Sequence, residues 1–264
     1  MKQSGFYLFL VLVLTLTGAC AAAKSIKPVS QAAPTAEKRA AVYRRQAVED
    51  KLFAATGRLS SRYKTGHYNC TAIVLFREKN TYLFLTAAHC LIVDNKKKPE
   101  EWEYTTDLWL RLENLDTKQF EYYPAKSVLL GHDYEAAFDF ALVEAFISRD
   151  ILVPALSYAE LKVNDCVVSV AYPVDGGGAD IFYGFVDYVN ADIEAFVRLG
   201  QIKDSFGASG AALASCREGD ILGLIIGQDK EDNQKIYTLL TAKIMEFLRF
   251  ELRKRGFLPP IIQP

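Results

Sequence analysis

The sequence predicts an all-β protein whose strands form antiparallel sandwiches or barrels. From about Leu59 onward the chain passes through short runs rich in β-branched and aromatic residues, with no long helical segments between them. These runs fall into two groups of similar size, joined by a link around residues 145–157. The 264 residues, 50% of them hydrophobic, are enough to bury one large or two small cores.

The individual β-rich runs define the two groups. The first group is CTAIVLF, YLFLT, DLWLRLE, KSVLLG and DFALVE, and the second is CVVSVAY, IFYGFVDYV, IEAFVRL, AALAS, DILGLII and KIYTLL. Two helices are also predicted. Residues 36–54 are rich in Ala, Arg, Lys and Glu and favour a surface helix, although its apolar face is weak. In TAKIMEFLRFELRKR, residues Ile244, Phe247, Leu248 and Leu252 have helical spacing, which predicts a C-terminal helix packed by one face.

The charge balance excludes one class of partner. The chain has 31 basic and 32 acidic residues and a formal net charge of −1. No overall positive field would attract it to a phosphate backbone, so we expect no nucleic-acid partner. The glycine run at 176–178 lacks the Lys-Ser/Thr of a phosphate loop, and no cofactor or metal is predicted.

The N-terminus has the features of an export signal. Lys2 precedes an apolar run over residues 6–16, which has the length of a secretory h-region and is short for a membrane span. The following LTLTGAC resembles the lipobox of bacterial lipoproteins, in which the cysteine, here Cys20, carries the lipid. Thr17 stands where that box usually has leucine. An ordinary signal peptide cleaved nearby is the alternative.

This interpretation divides the N-terminal part of the chain. Residues 1–19 form the signal peptide, and residues 20–57 form a polar, proline-containing tether followed by the surface helix. We expect the protein in the periplasm or at the cell surface, held to a membrane through the lipid on Cys20. The sequence makes no prediction of the oligomeric state.

Three short motifs occur in order: TAAHC at 86–90, DFAL at 139–142 and GASGAAL at 207–213. Together they resemble the catalytic motifs of the trypsin-like serine peptidases, over about residues 58–252. The resemblance implies two antiparallel six-stranded barrels, the first over residues 58–148 and the second over residues 149–264 together with the C-terminal helix. It also implies a serine endopeptidase that cleaves a protein or peptide substrate through an acyl-enzyme.

The resemblance assigns a role to each motif. A serine hydroxyl is a poor nucleophile at neutral pH, so Ser209 needs a base. Histidine side chains suit that role, and His89 is the candidate. Asp139 would orient the imidazole. The N–H groups of Gly207 and Ser209 would form the oxyanion hole. Ala208 stands where the digestive enzymes have the aspartate that pairs with a newly cleaved N-terminus, so that activation route is not expected.

Three further titratable residues near these motifs are weaker candidates. His67 precedes a strand and is expected to be exposed or at an edge. His132 and Asp133 are expected in a surface loop before the catalytic carboxylate. Asp139 is preferred over Asp133 because it directly precedes the apolar run FALVEA.

Four cysteines remain when Cys20 is set aside: Cys70, Cys90, Cys166 and Cys216. An even number in an oxidising compartment predicts disulfides, and three pairings are possible. None forms a C-x-x-C pair, which argues against zinc. In vertebrate-type members of the family the equivalent bridges would join Cys70 to Cys90 and Cys166 to Cys216.

Substrate preference stays open between alternatives. An ungapped count back from Ser209 puts Lys203 at the floor of the primary specificity pocket, which would favour an acidic side chain. A slip of one residue puts Asp204 there and predicts the opposite, and Lys203 facing solvent is a third possibility. The stretch ILGLIIGQ near Gly227 resembles the edge strand that pairs with substrate backbone.

Two other functions use the same motifs. The first is a catalytically idle binding lipoprotein that keeps the barrels as a scaffold, because a fold does not fix a function. The second is an esterase that uses the same triad on a different leaving group.

Overall fold

Twelve strands, two α-helices and one short 3-10 helix make up the part of the chain that the structure describes. The structure is a computed structural model and describes residues 36–63, 66–92, 103–133, 138–172, 177–190, 194–199, 207–228 and 235–254. The elements are α1 Ala36–Ala55, β1 Thr56–Tyr63, β2 Gly66–Glu78, β3 Thr81–Thr86, the 3-10 helix Ala88–Leu91, β4 Leu108–Asn114, β5 Gln119–Asp133, β6 Phe138–Phe146, β7 Cys166–Ala171, β8 Asp180–Asn190, β9 Glu194–Leu199, β10 Ala212–Ser215, β11 Ile221–Gln228, β12 Lys235–Leu240 and α2 Thr241–Lys254.

The strands form two closed antiparallel barrels. Neighbours in the first barrel follow the order β1-β2-β3-β6-β5-β4, and β4 closes on β1. The second barrel, read from β7, follows β7-β8-β9-β12-β11-β10, and β10 closes on β7. The two barrels therefore share one strand order, and the predicted double six-stranded barrel is confirmed.

Two strands differ from the sequence prediction. The segment TGRLSSRY forms β1, which was not among the predicted runs because Leu59 is its one large buried aliphatic side chain. The run KSVLLG is only the second half of β5, which begins at Gln119 and continues to Asp133. The expectation of a loop at His132 and Asp133 is therefore wrong: both residues lie in β5, and His132 is the register partner of Asp139 on β6.

The hydrophobic core runs from one barrel into the other. In β4 the side chains of Leu108, Leu110 and Leu112 are buried, while Trp109 between them is exposed, as expected of a strand with one inward face. The same core cluster includes Leu224 of β11 in the second barrel. Because the cluster crosses the junction, burial of apolar area holds the barrels against each other.

The two helices pack on the barrels by their apolar residues. In α1 the exposed residues 41–47 are followed by Val48 and Leu52, which are buried against β7 residues Val168 and Val170. In α2 the buried side chains include Ile244, in agreement with the predicted packing by one face. Among the described residues, neither helix has the length and hydropathy that a bilayer crossing needs.

Each barrel contains one disulfide. Cys70–Cys90 joins β2 to the 3-10 helix, and Cys166–Cys216 joins the start of β7 to the turn after β10. These are the two pairings that the family resemblance implied. Disulfides persist in oxidising compartments, so they indicate folding outside the reducing cytosol.

Candidate active site

His89 and Asp139 form a close pair at one end of the first barrel. The chain leaves β3 through Ala87 and turns into the 3-10 helix that carries His89, while Asp139 is near the start of β6. One carboxylate oxygen lies 2.5 Å from the imidazole Nδ1, and the other accepts the backbone N–H of His89 at 2.8 Å. With Nδ1–H donating to the carboxylate, Nε2 is the ring nitrogen that can accept a proton.

The two side chains differ in their exposure. The His89 side chain is 40% exposed and that of Asp139 19%. Asp139 therefore lies beneath the ring, and the ring itself can be reached from solvent. A base must be accessible to a substrate while the group that orients it is held by the protein, and this pair meets both requirements.

The Cys70–Cys90 disulfide lies between His89 and the second barrel. One ring nitrogen of His89 lies within 4.8 Å of both sulfur atoms. The carbonyl oxygen of Ser209 is 3.9 Å from Sγ of Cys90. The imidazole and the Ser209 loop thus border the same disulfide. Both sulfurs are in the covalent bond, so they cannot serve as the thiolate ligands that a metal would need beside His89.

Ser209 lies in a tight turn over residues 207–210, just before β10. Gly207 and Gly210 have φ of 96° and 84°, a region that L side chains rarely adopt, and the N–H of Ala211 closes the turn on the carbonyl of Ala208 at 2.9 Å. Gly210 also lies against the first barrel. A Cβ there would be 2.1 Å from the carbonyl oxygen of Thr71, so only glycine fits.

Thr71 of β2 attaches this turn to the first barrel. Its N–H donates to the carbonyl of Ser209 at 2.9 Å, and its hydroxyl donates to the carbonyl of Gly207 at 2.7 Å. The same hydroxyl accepts the N–H of Tyr172 at 3.0 Å. The carbonyl of Thr71 accepts the hydroxyl of Thr86 at 2.8 Å. Every one of these groups is buried or lies at the junction, where an unpaired polar atom would be costly.

These bonds have a consequence for the peptide N–H groups of the turn. The carbonyl oxygens of Gly207 and Ser209 both face Thr71. Within the described part of the chain, the N–H groups of Gly207 and Ser209 have no hydrogen-bond acceptor. Each carbonyl shares its peptide unit with the N–H of the next residue, so these bonds orient the N–H groups of Ala208 and Gly210. The N–H groups of Gly207 and Ser209 stay available to a developing negative charge.

Tyr104 lies close to the Asp139 carboxylate. It forms an isolated antiparallel bridge with Ile92, just after the 3-10 helix of His89. Burial raises the pKa of the Tyr104 phenol, and the negative charge of Asp139 raises it further. The Tyr104 phenol is therefore near enough to the pair to be affected by the charge of Asp139.

The end of β11 presents an unpaired edge beside the nucleophile turn. β11 pairs with β12 as far as Gln228, but its register with β10 ends at Leu224. Beyond that point the nucleophile turn pairs with β11 in place of β10, because Gly210 and Ala211 exchange hydrogen bonds of 2.8 Å with Ile225. From there to Gly227, no described strand pairs with β11 on the β10 side, and an extended peptide could add at this edge.

The remaining predicted positions fall elsewhere. Lys203, Asp204 and Cys20 lie outside the described residues. His67 is exposed on β2, within the range predicted for it. A cavity of ≈ 440 Å³ is lined by Cys166 and Cys216 and by none of the triad candidates.

Thr71 and Tyr104 were not singled out by the sequence analysis. Thr71 directly follows Cys70 in the strand YNCTAIV, where a threonine is an ordinary strand residue. Its contacts span 136 positions of the sequence to Gly207. No local pattern marks such a residue, because its role depends on which loop the second barrel brings to it.

Comparison with known proteins gives a consistent result. Residues 70–224 match the family model of the trypsin-like peptidase domain. No curated protein sequence matches the chain significantly. The chain is similar to the structure of a serine endoprotease from Yersinia pestis, with a TM-score of 0.58 and 14% identity over 84% of this chain and 68% of that one. It is also similar to the active form of the Rv3671c protease from M. tuberculosis, with a TM-score of 0.59 and 15% identity over 83% of this chain and 88% of that one.

Proposed function

Because the chain belongs to the family of trypsin-like serine peptidases, we propose that it is a serine endopeptidase that cleaves peptide bonds through an acyl-enzyme on Ser209. The observation that carries this proposal is the pairing of His89 Nδ1 with the Asp139 carboxylate at 2.5 Å, next to the disulfide that also borders Ser209. A positioned histidine base and a serine that border the same disulfide support nucleophilic acyl transfer.

The proposed reaction begins with proton transfer from Ser209 to His89. Nε2 takes the proton from the hydroxyl as Oγ attacks the scissile carbonyl carbon, and it then donates that proton to the leaving amine. Water repeats the sequence to release the acid and free the serine. Asp139 holds the ring through Nδ1 and stabilises the imidazolium that forms in each half of the reaction.

The N–H groups of Gly207 and Ser209 would bind the oxyanion of the tetrahedral intermediate. Thr71 supports this role indirectly, because its bonds to the carbonyls of Gly207 and Ser209 hold the backbone of the turn that contains both donors. A donor that is fixed before the reaction needs no reorganisation when the charge develops. Loss of one such donor typically lowers the rate about 10²- to 10³-fold.

The substrate would lie in an extended conformation along the free edge of β11. Ile226 and Gly227 follow the point where the turn stops pairing with that strand. Backbone hydrogen bonds at this edge would hold a peptide without regard to its sequence, and side-chain preference would come from the primary specificity pocket.

A fluorophosphonate probe tests the activated nucleophile. We expect the purified, oxidised protein to be labelled, and Ser209→Ala and His89→Ala to abolish labelling. Ser148→Ala is the matched control, because Ser148 is an exposed serine on the link between the barrels. Equal labelling of the native protein and Ser209→Ala would disprove the proposed nucleophile.

The same samples separate the peptidase from the two other functions. An esterase would hydrolyse an activated ester but leave the matched amide intact, whereas a peptidase cleaves both. A catalytically idle binding protein would not be labelled, and a peptide bound to it would be recovered uncut. Hydrolysis of the amide by the native protein, lost in Ser209→Ala, is the outcome that the proposal requires.

We also propose that the protein is exported and anchored to a membrane by a lipid on Cys20. The lipobox-like LTLTGAC and the two disulfides of the folded domain support this location. Cells given labelled palmitate should transfer the label to the native protein and not to Cys20→Ala. A protein released into the soluble fraction without label would rule out the anchor while leaving the peptidase proposal unaffected.

A further inference from the structure

A row of polar side chains crosses four neighbouring strands on the outer face of the first barrel. Arg58 of β1 is the register partner of Thr71 on one side and of Arg111 on the other, and Arg111 is in turn the partner of Tyr122. Residues directly opposite each other in an antiparallel sheet point to the same face. Two arginines therefore stand side by side on the face that carries Thr71, and like charges in that arrangement repel.

The two arginines carry buried donors with no protein acceptor. The Nε atoms of Arg58 and Arg111 are inaccessible to solvent and have no hydrogen-bond partner among the described residues. Among the described residues, Arg111 donates from its Nη2 to the carbonyl of Gly177 at 2.6 Å. Its guanidinium lies over the ring of Phe120 at 4.2 Å, a contact that holds the side chain in place.

Tyr172, which follows β7 in the second barrel, is the third polar side chain of this region. Its side chain is 0% exposed, and its hydroxyl has no partner within the described residues. The guanidinium carbon of Arg111 is 5.3 Å from the centre of its ring. Burial raises the pKa of Tyr172 to about 12, so at neutral pH the hydroxyl keeps its proton and is a donor.

The charges around this tyrosine are predominantly positive. Arg111, Arg58 and Arg149 act on the Tyr172 hydroxyl, together with the carboxylate of Glu113. Arg149 is itself paired with Glu121 at 2.7 Å, so Arg58 and Arg111 supply the excess positive charge. The pKa of Arg58 is lowered by burial first and then by the charge of Arg111. Three buried donors, two of them on cationic side chains, thus have no acceptor among the described residues, and no carboxylate of that part of the chain forms an ion pair with Arg58 or Arg111. Buried polar groups are nearly always paired, and an unpaired one costs about 1–3 kcal/mol.

We propose that Arg58, Arg111 and Tyr172 form a binding site for an oxyanion, a carboxylate or a phosphate group, at the junction of the two barrels. An oxyanion supplies several acceptor lone pairs and a negative charge in one group, so it would accept from both Nε–H donors and the phenol and offset the repulsion between the guanidinium groups. Arginine suits such a ligand because its planar donors match carboxylate and phosphate geometry.

The site lies behind the nucleophile turn. Thr71, the register partner of Arg58, contacts the carbonyl oxygens of Gly207 and Ser209, and its hydroxyl accepts the N–H of Tyr172. The proposed anion site is therefore connected to the nucleophile turn through Thr71. Binding can be measured without reference to activity, so the test does not depend on the proposed function.

Titration calorimetry of the purified full-length protein tests the site. Inorganic phosphate and acetate are the two probes, each titrated at an ionic strength held constant with chloride, so that general screening is the same throughout. We expect saturable binding of at least one probe. The stronger of the two identifies whether the site prefers a phosphate group or a carboxylate. The absence of saturable binding with both probes would overturn the proposal and leave water as the partner of the buried donors.

Three variants locate the binding. Arg58→Gln should weaken the affinity at least tenfold, because it removes a charged donor. Tyr172→Phe keeps the buried ring and removes only the hydroxyl, so this variant should fold and bind several-fold more weakly. Arg62→Gln is the matched control, since Arg62 is an exposed arginine on the same strand, and it should bind like the native protein. Equal affinity in the native protein and Tyr172→Phe, together with equal affinity in Arg58→Gln, would place the anion elsewhere and refute the site.

Discussion

Thr71 and Ser209 are joined across the barrel junction by a hydrogen bond of 2.9 Å from the N–H of the threonine to the carbonyl of the serine. The first barrel thus supplies His89 and Asp139 and also fixes the backbone of the turn that the second barrel contributes. A candidate site built from two barrels needs such a connection, because an error of about 1 Å in the placement of a reacting group can cost about 10²-fold in rate.

Replacing Thr71 tests this connection. Thr71→Val keeps the shape of the side chain but leaves the Gly207 carbonyl and the Tyr172 N–H without the hydroxyl they now bond. Each unsatisfied buried group costs about 1–3 kcal/mol. We expect urea unfolding to show that loss in the free energy of unfolding, while Thr71→Ser, which restores the hydroxyl, recovers most of it. If Thr71→Val and Thr71→Ser were equally stable, the hydroxyl would have no structural role.

Asp139→Asn should leave the fold intact and remove most activity. The amide can still accept the backbone N–H of His89, but its ring bond would favour the wrong tautomer of the imidazole. In a characterised member of this family the equivalent change lowers kcat about 10⁴-fold, and we expect a loss of that order. Steady-state hydrolysis of a peptide amide, with thermal unfolding as the check on folding, measures it. Activity within tenfold of the native rate would assign the orienting role to another group.

Gly210→Ala should destabilise the protein severely. The new Cβ would stand 2.1 Å from the carbonyl oxygen of Thr71 and 2.3 Å from the hydroxyl of Thr86, at a φ of +84°. The left-handed backbone alone costs about 1–2 kcal/mol for an L residue, and the overlap adds to it. The matched control is Gly178→Ala, where nothing lies within 4 Å of the new atom. Equal melting temperatures for the two variants would contradict the close approach of the turn to β2.

The two disulfides should differ in what their loss affects. Cys70–Cys90 and Cys166–Cys216 span 20 and 50 residues, for which chain entropy predicts stabilisation of about 3 and about 4 kcal/mol. Replacing the second pair with serines should therefore cost somewhat more in the free energy of unfolding. Replacing the first should cost more in probe labelling per folded molecule, because that bridge borders both His89 and Ser209. The reverse order of the labelling losses would count against this assignment.

Glu121 should make stability depend on acid pH. Its carboxylate accepts from Tyr123, Asn114 and Arg149, which lowers its pKa below the ordinary value of 4.5. A carboxyl whose pKa is lowered by folding adds stability above its unfolded pKa, and that stability is lost as pH falls through the folded value. Glu121→Gln should thus be less stable than the native protein at pH 7.

Stability measured as a function of acid pH tests whether the charge of Glu121 is responsible. The difference in free energy of unfolding between Glu121→Gln and the native protein should shrink below about pH 4.5, where the native carboxyl becomes protonated. The exposed Glu78 on β2 gives the control, since Glu78→Gln should change neither the stability nor its pH dependence. A difference for Glu121→Gln that stays constant down to pH 2 would show that shape, not charge, is responsible.

The sequence by itself determined the local features of this protein. Most strands follow from short β-rich runs, and the C-terminal helix follows from the spacing of residues such as Ile244 and Leu248. His89, Asp139 and Ser209 stand in short motifs whose residue types are set by their chemistry, so they can be recognised before any contact is known. The strand β1 escaped recognition because its polar and glycine residues carry little β preference of their own.

Only the tertiary structure decided which distant residues meet. Thr71 looks like any strand threonine until the second barrel places Gly207 and Tyr172 against its hydroxyl. Arg58 and Arg111 look like outward-facing arginines until strand register sets them side by side. Register and barrel packing are set by the whole core and by the closure of both sheets, and a run of neighbouring residues does not contain that information.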